Sequence, residues 1–194
     1  MQVDWSVELG AEDDRLEMPW ASPDGRTRYY DLKHQPELLL QVEEAHHNHE
    51  LGEFLVSANS EHCILETAKC DTWLTRDLTE EEAVYQAGWK FGSYVDLLFC
   101  DEPVRFSFAD HERFADAACK LLKRAPEISA AVEFIVRRCA YHVDAKVKDG
   151  FYLTMYLYGY GSDEDEARQR WGIAMKLVEN ALLQLSAAAR RAQS

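Results

Sequence analysis

Apolar and polar residues alternate strictly between residues 151 and 160. Because the side chains of a strand point alternately to the two faces of a sheet, this pattern predicts a half-buried strand with one apolar and one tyrosine-rich face. The apolar face would carry Phe151, Leu153, Met155 and Leu157, and the opposite face would carry Tyr152, Thr154, Tyr156 and Tyr158.

Three more strands are predicted in the second and last thirds of the chain. Two of them cover residues 64–74 and 91–101. The segment 128–143 fits both an apolar helical stripe and a β-branched strand, and periodicity alone cannot decide between them. The order of the elements favours a strand, since strand, strand and helix then follow one another twice.

Amphipathic helices are predicted after each pair of strands. Ser107 and Asp110 form a capping box before the first helix, and Ser162 and Asp165 form one before the last. The apolar residues of the last helix recur at steps of 4, 3, 4, 3 and 4, the spacing of a helix that faces a core: Ala167, Trp171, Ala174, Val178, Ala181 and Leu185. Trp171 is therefore expected to be buried.

The first 60 residues predict a strand, a hairpin and short helices. Residues 1–9 alternate weakly. Residues 16–20 and 27–32 flank a Ser-Pro-Asp-Gly sequence at 22–25, and its proline and glycine favour a β-turn. Pro36 suits the first position of a helix, and residues 51–58 carry apolar positions at helical spacing.

These elements predict an α+β fold with an antiparallel sheet and amphipathic helices packed on one of its faces. We expect one domain over residues 1–194. Its parts are the N-terminal hairpin and helices (1–60), two strand–strand–helix units (61–126 and 127–187) and a frayed tail (188–194).

Composition adds limits on partners and location. The chain has 194 residues with 21 basic and 35 acidic side chains, a formal net charge of −14. This charge disfavours nucleic acid and anionic membranes as partners. The N-terminal residues do not resemble a signal peptide, and five cysteines form an odd set without tight spacing. We therefore expect a cytoplasmic protein with reduced thiols.

Two local patterns are considered as sites and rejected. A Gly-Tyr-Gly sequence at 159–161 lies where a phosphate-binding turn would lie, but the four carboxylates of residues 163–166 would repel phosphate. A possible metal face fails because Asn48 and Gly52 make a continuous helix doubtful; its residues are Glu43, His46, His47 and Glu50. We predict neither a metal nor another cofactor.

The strongest candidate site is the sheet face opposite the helices. Alternation gathers ionisable and aromatic side chains there, a composition typical of interfaces. The predicted binding residues are Lys69, Asp71, Trp73, Tyr94, Asp96, Arg138, His142, Tyr152, Tyr156 and Tyr158.

The sequence carries no familiar catalytic motif. We therefore expect a binding or interaction protein that acts through this aromatic face, most simply as a homodimer, with a small molecule or a basic protein as other partners. One alternative is an acidic, immunity-like inhibitor of a basic partner. Another is an enzyme with a cleft formed by Asp71, Asp96, Arg138 and His142.

Overall fold

The computed structural model describes residues 1–143 and 146–193 and contains one six-stranded sheet. Its strands are β1 (Gln2–Glu8), β2 (Arg15–Met18), β3 (Leu65–Thr75), β4 (Trp89–Phe99), β5 (Ala130–Val143) and β6 (Lys146–Gly161). The spatial order is β1-β5-β6-β4-β3, and β2 lies beside β1 along the same edge of β5. The ambiguous segment is thus a strand, as predicted.

The sheet is mixed, which corrects the expectation of an antiparallel sheet. β5 pairs antiparallel with β6, β6 with β4, and β4 with β3, whereas β1 and β2 both run parallel to β5. Glu8 lies opposite Arg137 and Arg15 opposite Arg138, so the residues between β1 and β2 loop out while β5 advances by one position. The long edge of β5 is what allows two N-terminal strands to pair with it in succession.

Five α-helices and two 3-10 helices accompany the sheet within the described residues. The α-helices are α1 (Glu43–His47), α2 (His49–Ala58), α3 (Glu102–Arg105), α4 (Phe108–Leu122) and α5 (Glu164–Gln193), and the 3-10 helices are Pro36–Gln41 and Glu81–Tyr85. α5 continues to Gln193, through most of the segment 188–194 for which the sequence predicts a frayed tail; Ser194 lies outside the described residues. None of these helices is long and apolar enough to cross a membrane.

The main core lies between one sheet face and helices α2, α4 and α5. Trp171 is fully buried there, as predicted, and its indole Nε1 donates a hydrogen bond to Ser93 Oγ at 2.8 Å. Its ring meets Phe91 edge-on, with centroids 4.8 Å apart. The odd-numbered residues of β4 and β6 point to this core, so their even-numbered residues point to the opposite face.

Glycine lets α5 lie directly on β6. A Cβ at Gly159 would lie 2.3 Å from the carbonyl oxygen of Ala167 and 2.3 Å from the backbone nitrogen of Trp171. Any side chain there would push the helix off the sheet. The two glycines of the 159–161 sequence therefore serve close packing.

Capping partly follows the sequence. Ser107 accepts a hydrogen bond from the backbone N–H of Asp110, as a cap should. At the start of α5, by contrast, Asp163 caps the N–H of Glu166, and the Glu166 carboxylate accepts from the N–H of Ser162. The predicted pairing of Ser162 with Asp165 is thus replaced by a pairing of Asp163 with Glu166, one residue further along the chain.

A second, smaller core covers one end of the opposite sheet face. It consists of Leu16, Met18, Ala68, Leu98, Cys139, Tyr141 and Tyr152, with Trp20, Tyr29 and Phe106 packed around it. β2 and the residues after it supply the cover. Residues 20–30 turn back as a short hairpin, where Ala21 bridges Arg28 and Gly25 adopts a φ of +69°. We call this end of the sheet face, with its second core, the covered end.

Candidate aromatic binding face

Cross-strand register brings most of the predicted site residues together. Asp71 lies opposite Tyr94, which lies opposite Tyr156, in one row across β3, β4 and β6. Two neighbouring rows consist of Trp73, Gly92 and Tyr158, and of Lys69, Asp96 and Thr154. We call Trp73, Tyr94, Tyr156 and Tyr158 the aromatic face.

The four rings of the aromatic face contact one another and stay partly exposed. Trp73 meets Tyr158 edge-on at a centroid distance of 6.1 Å and Tyr94 at 6.5 Å. Tyr156 lies 6.0 Å from Tyr94 and stacks parallel to Tyr158 at 6.3 Å. Offset and edge-on pairs of this kind are favourable beyond the area that they bury, so the rings form an ordered surface.

Gly92 makes room for the Trp73 ring. A Cβ at Gly92 would come within 2.6 Å of the indole. The ring therefore lies against the backbone of β4 at Gly92 and stays partly exposed. This explains why a strand interior contains a residue that ordinarily weakens strands.

Three cations lie over the tyrosine rings. Lys69 Nζ is 5.8 Å from the centre of Tyr94, Lys90 Nζ is 5.3 Å from that of Tyr158, and the Arg137 guanidinium is 5.6 Å from that of Tyr156. Cation–π contacts at these distances contribute about 0.5–1 kcal/mol each at exposed sites. They fix the orientation of the rings and place positive charge on an acidic protein's aromatic surface.

A buried polar network lies beneath the rings. Thr154 donates from Oγ1 to Asp96 Oδ1 at 2.7 Å and accepts from Arg137 Nη1 at 3.2 Å. Arg137 Nε also donates to Glu8 Oε2 at 2.8 Å, and Nη1 donates to the Tyr156 hydroxyl at 3.5 Å. The network joins β1, β5, β6 and β4 across the sheet.

Asp96 is the titratable centre of this network. It is 5% exposed, and burial raises its pKa to about 6, although the hydrogen bond from Thr154 and the charges of Lys69 and Arg137 favour the ionised form. Burial likewise raises the pKa of Tyr158 to about 12 and that of Tyr94 above its ordinary range. Tyr94 and Tyr158 are therefore neutral at pH 7 and offer hydroxyl groups as hydrogen-bond donors.

A 3-10 helix borders the aromatic face. Tyr85 from Glu81–Tyr85 stacks on Tyr160 with centroids 4.0 Å apart. The Tyr160 hydroxyl donates to Glu82, whose carboxylate also forms an ion pair with Lys90 at 2.9 Å. Thr79 and Glu82 form a capping box at its start. The helix thus covers Tyr160, which is buried, and adds the partly exposed Tyr85 beside the aromatic face.

Three predicted site residues lie elsewhere. Tyr152 is 3% exposed in the covered end. Arg138 lies opposite Phe151, which packs on the helix-side core, so its backbone position belongs to the other face. His142 is exposed and contacts Glu17 at 2.5 Å. Asp96 lies in the same cross-strand row as Ile135 of β5. His142 comes seven residues after Ile135, so it lies roughly 23 Å along the strand from that row.

Sequence reasoning missed Arg137, Lys90, Tyr160 and Tyr85. Arg137 could be predicted from the alternation of β5. Val132, Phe134 and Val136 face the helix-side core, so residue 137 must point to the opposite face. Lys90 and Tyr160 could be found in the same way from the phase of β4 and β6.

The residues considered for a metal do not form one helix face. α1 ends at His47 and α2 begins at His49, with Asn48 in an extended conformation between them. His46 Nε2 lies 2.8 Å from the carbonyl oxygen of Leu40. Across residues 1–143 and 146–193, no group of three or more His, Cys, Asp or Glu side chains could hold a metal ion.

Comparison with known proteins adds no assignment: no family model, curated protein or solved structure matches the chain. The chemistry of the site therefore rests on its own geometry. Ordered, partly exposed rings with hydroxyl donors and flanking cations can receive an apolar or aromatic surface and bind its polar rim.

Proposed function

We propose that the protein is a binding protein that associates through its aromatic face, and that its simplest partner is a second copy of the same chain. The observation that carries this proposal is the difference between the two ends of one sheet face. The chain buries the covered end with its own N-terminal residues, whereas the rings of the aromatic face stay partly exposed. Ordered apolar surface of this kind typically marks an interaction site.

Charge balance favours a second copy as the partner. Lys90 pairs with Glu82 and Arg137 with Glu8, while the exposed Lys69 and Asp71 stand two residues apart on β3. Lys69, Lys90 and Arg137 therefore offset part of the negative charge around the aromatic face, where Asp96 and Glu133 add further carboxylates. These cations lower the repulsion between two acidic molecules that approach here, and a two-fold axis would bring the same patch together on both.

The catalytic alternative loses its geometric basis. It required Asp71, Asp96, Arg138 and His142 to converge, and the register places Arg138 and His142 away from both aspartates. The alternative of a basic partner is weakened because acidic residues such as Glu82, Asp163 and Glu166 accept hydrogen bonds from their own helix starts.

Sedimentation velocity of the wild type and three alanine variants tests the proposal. Wild type should be dimeric at micromolar concentrations, and Trp73→Ala and Tyr158→Ala should each shift it to monomer. Trp89→Ala is the matched control, because Trp89 is also partly exposed on β4 but packs on the helix-side core. Circular dichroism would verify that each variant is folded. A wild type that stays monomeric at every concentration would overturn the proposal.

A further inference from the structure

A cleft lies between residues 20–30 and β3, beside the covered end. It has an inner chamber of 230 Å³ and an outer chamber of 440 Å³. The two chambers adjoin, because both are lined by Trp20, Thr27, Glu44, Lys69 and Cys70. Only the outer chamber reaches the aromatic face, through Tyr94.

One wall of the inner chamber is formed by aliphatic residues of the protein core. Its residues are Leu32, Val42, Leu55 and Ala68, and all four are buried. The Trp20 ring is held beside them because its Nε1 donates to the carbonyl oxygen of Ala68 at 2.6 Å. An aliphatic group of a ligand would therefore find apolar contacts here, and its transfer from water would favour binding.

Charges of both signs line the same inner chamber. Arg26 and Arg28 come from the hairpin, and Glu43 and Glu44 come from the start of α1. Within the described residues, Arg28, Glu43 and Glu44 form no ion pair, and Arg26 pairs only with Asp24 outside the chamber. With Lys69, which also lines the chamber, three cations and two carboxylates thus border one small space, and within the described residues none of these cations forms an ion pair with either carboxylate.

We propose that this cleft binds a free α-amino acid with an aliphatic side chain. The side chain would lie on the aliphatic wall, the carboxylate would face Arg26 and Arg28, and the ammonium group would face Glu43 and Glu44. Charge-assisted hydrogen bonds are the strong ones, so a zwitterion satisfies both sets at once. The inner chamber is smaller than the roughly 300–1,000 Å³ of sites for drug-sized ligands, so its size suits a single amino acid, whereas a peptide would extend into the adjoining outer chamber.

Isothermal titration calorimetry with L-leucine tests the chemistry of the ligand. Leucinamide lacks the carboxylate, 4-methylpentanoate lacks the ammonium group and glycine lacks the side chain. Leucinamide and 4-methylpentanoate should each bind at least about tenfold more weakly than L-leucine, the loss expected when a hydrogen bond to a charged group is removed. Glycine should also bind at least about tenfold more weakly, because it buries no aliphatic side chain. The absence of heat with L-leucine at millimolar concentrations would overturn the proposal, as would tighter binding of the dipeptide Leu-Leu.

Variants of the chamber test its location. Arg28→Gln and Glu44→Gln should each weaken L-leucine binding by about tenfold or more, whereas the control Arg124→Gln, in the exposed turn after α4, should not change it. Trp73→Ala should leave leucine binding unchanged, which separates this site from the aromatic face. Equal affinity of all these variants and wild type would show that any leucine bound lies elsewhere and would contradict the proposal.

Discussion

The two ends of one sheet face differ in how the chain covers them. At the covered end, Leu98 and Tyr152 are buried beneath Leu16 and Met18. At the other end, residues of the same two strands, Tyr94 and Tyr156 among them, stay partly exposed. The alternation of β4 and β6 is continuous through both ends. What differs is the cover, which depends on where β2 pairs along β5.

This difference predicts where stability and association reside. The covered end completes a core, so its side chains should contribute to the free energy of unfolding. The aromatic face is ordered by ring contacts and cations but lacks an intramolecular cover, so its side chains should contribute mainly to association. Substitutions at the two ends can therefore separate the two properties.

The largest expected effect is at the covered end. Leu98 is fully buried, so Leu98→Ala should lower the free energy of unfolding by about 3–5 kcal/mol through lost contacts and a new cavity. Leu40→Ala is the matched control, since Leu40 is 75% exposed and its truncation should cost no more than about 0.5 kcal/mol. Urea denaturation monitored by circular dichroism measures both. Similar losses for the two variants would show that the covered end is not a packed core.

The second effect concerns Asp96, which lies where the two ends meet. Its pKa is raised from 3.8 to about 6 by burial, so the folded protein holds a proton there that the unfolded chain releases between these values. Its contribution to stability is therefore greatest below about pH 4 and falls as the pH rises to 6. At about 1.4 kcal/mol per pH unit, the loss is on the order of 2–3 kcal/mol.

Asp96→Asn should remove this loss, because the amide is always neutral and its oxygen can still accept the hydrogen bond from Thr154. Compared with wild type, the variant should gain stability at pH 7 and little or none at pH 4. Asp71→Asn, on the exposed part of β3, is the control and should show no such difference. Parallel pH profiles for Asp96→Asn and wild type would contradict the burial of an ionisable group.

The smallest effect has the opposite dependence on pH. Burial disfavours the ionised form of Glu82, but hydrogen bonds from the Thr79 N–H, Lys90 and the Tyr160 hydroxyl outweigh it and hold its pKa below the ordinary value. Its contribution to stability is thus present above the unfolded pKa and is lost as the pH falls through the folded pKa. Glu82→Gln should cost about 1 kcal/mol at pH 7 and less at low pH.

Thermal unfolding of Glu82→Gln beside Glu81→Gln checks this contribution. Glu81 is an exposed neighbour in the same 3-10 helix, so its substitution should leave the midpoint nearly unchanged. A loss at pH 7 that persists undiminished at low pH would show that Glu82 acts by packing rather than by charge.

The sequence predicts the strands better than it predicts their partners. Strict alternation in β6 correctly separates its core-facing residues from Tyr156 and Tyr158. The burial of Tyr152 could not be predicted, because its cover comes from Leu16 and Met18, more than 130 residues earlier in the chain. Local patterns carry no information on such a distant pairing.

The lack of local information on strand partners also explains why the sequence does not predict the mixed sheet. An obscured alternation explains why Arg138 is predicted on the wrong face. Residues 1–9 predict a strand, but nothing local distinguishes a parallel partner from an antiparallel one. In β5, Ile135 and Val136 are adjacent and both apolar, which obscures the phase of the alternation. The sequence therefore predicts Arg138 on the face that Arg137 occupies in the structure.

Fluorine NMR of the protein labelled with 5-fluorotryptophan tests most directly whether the aromatic face is the site of association. The five tryptophans give separate probes, and single Trp→Phe variants assign them. On dilution from a dimeric to a monomeric sample, the resonance of Trp73 should shift, while that of Trp171, fully buried on the other side of the sheet, should not. A Trp73 resonance that stays constant across the concentration range would contradict the account.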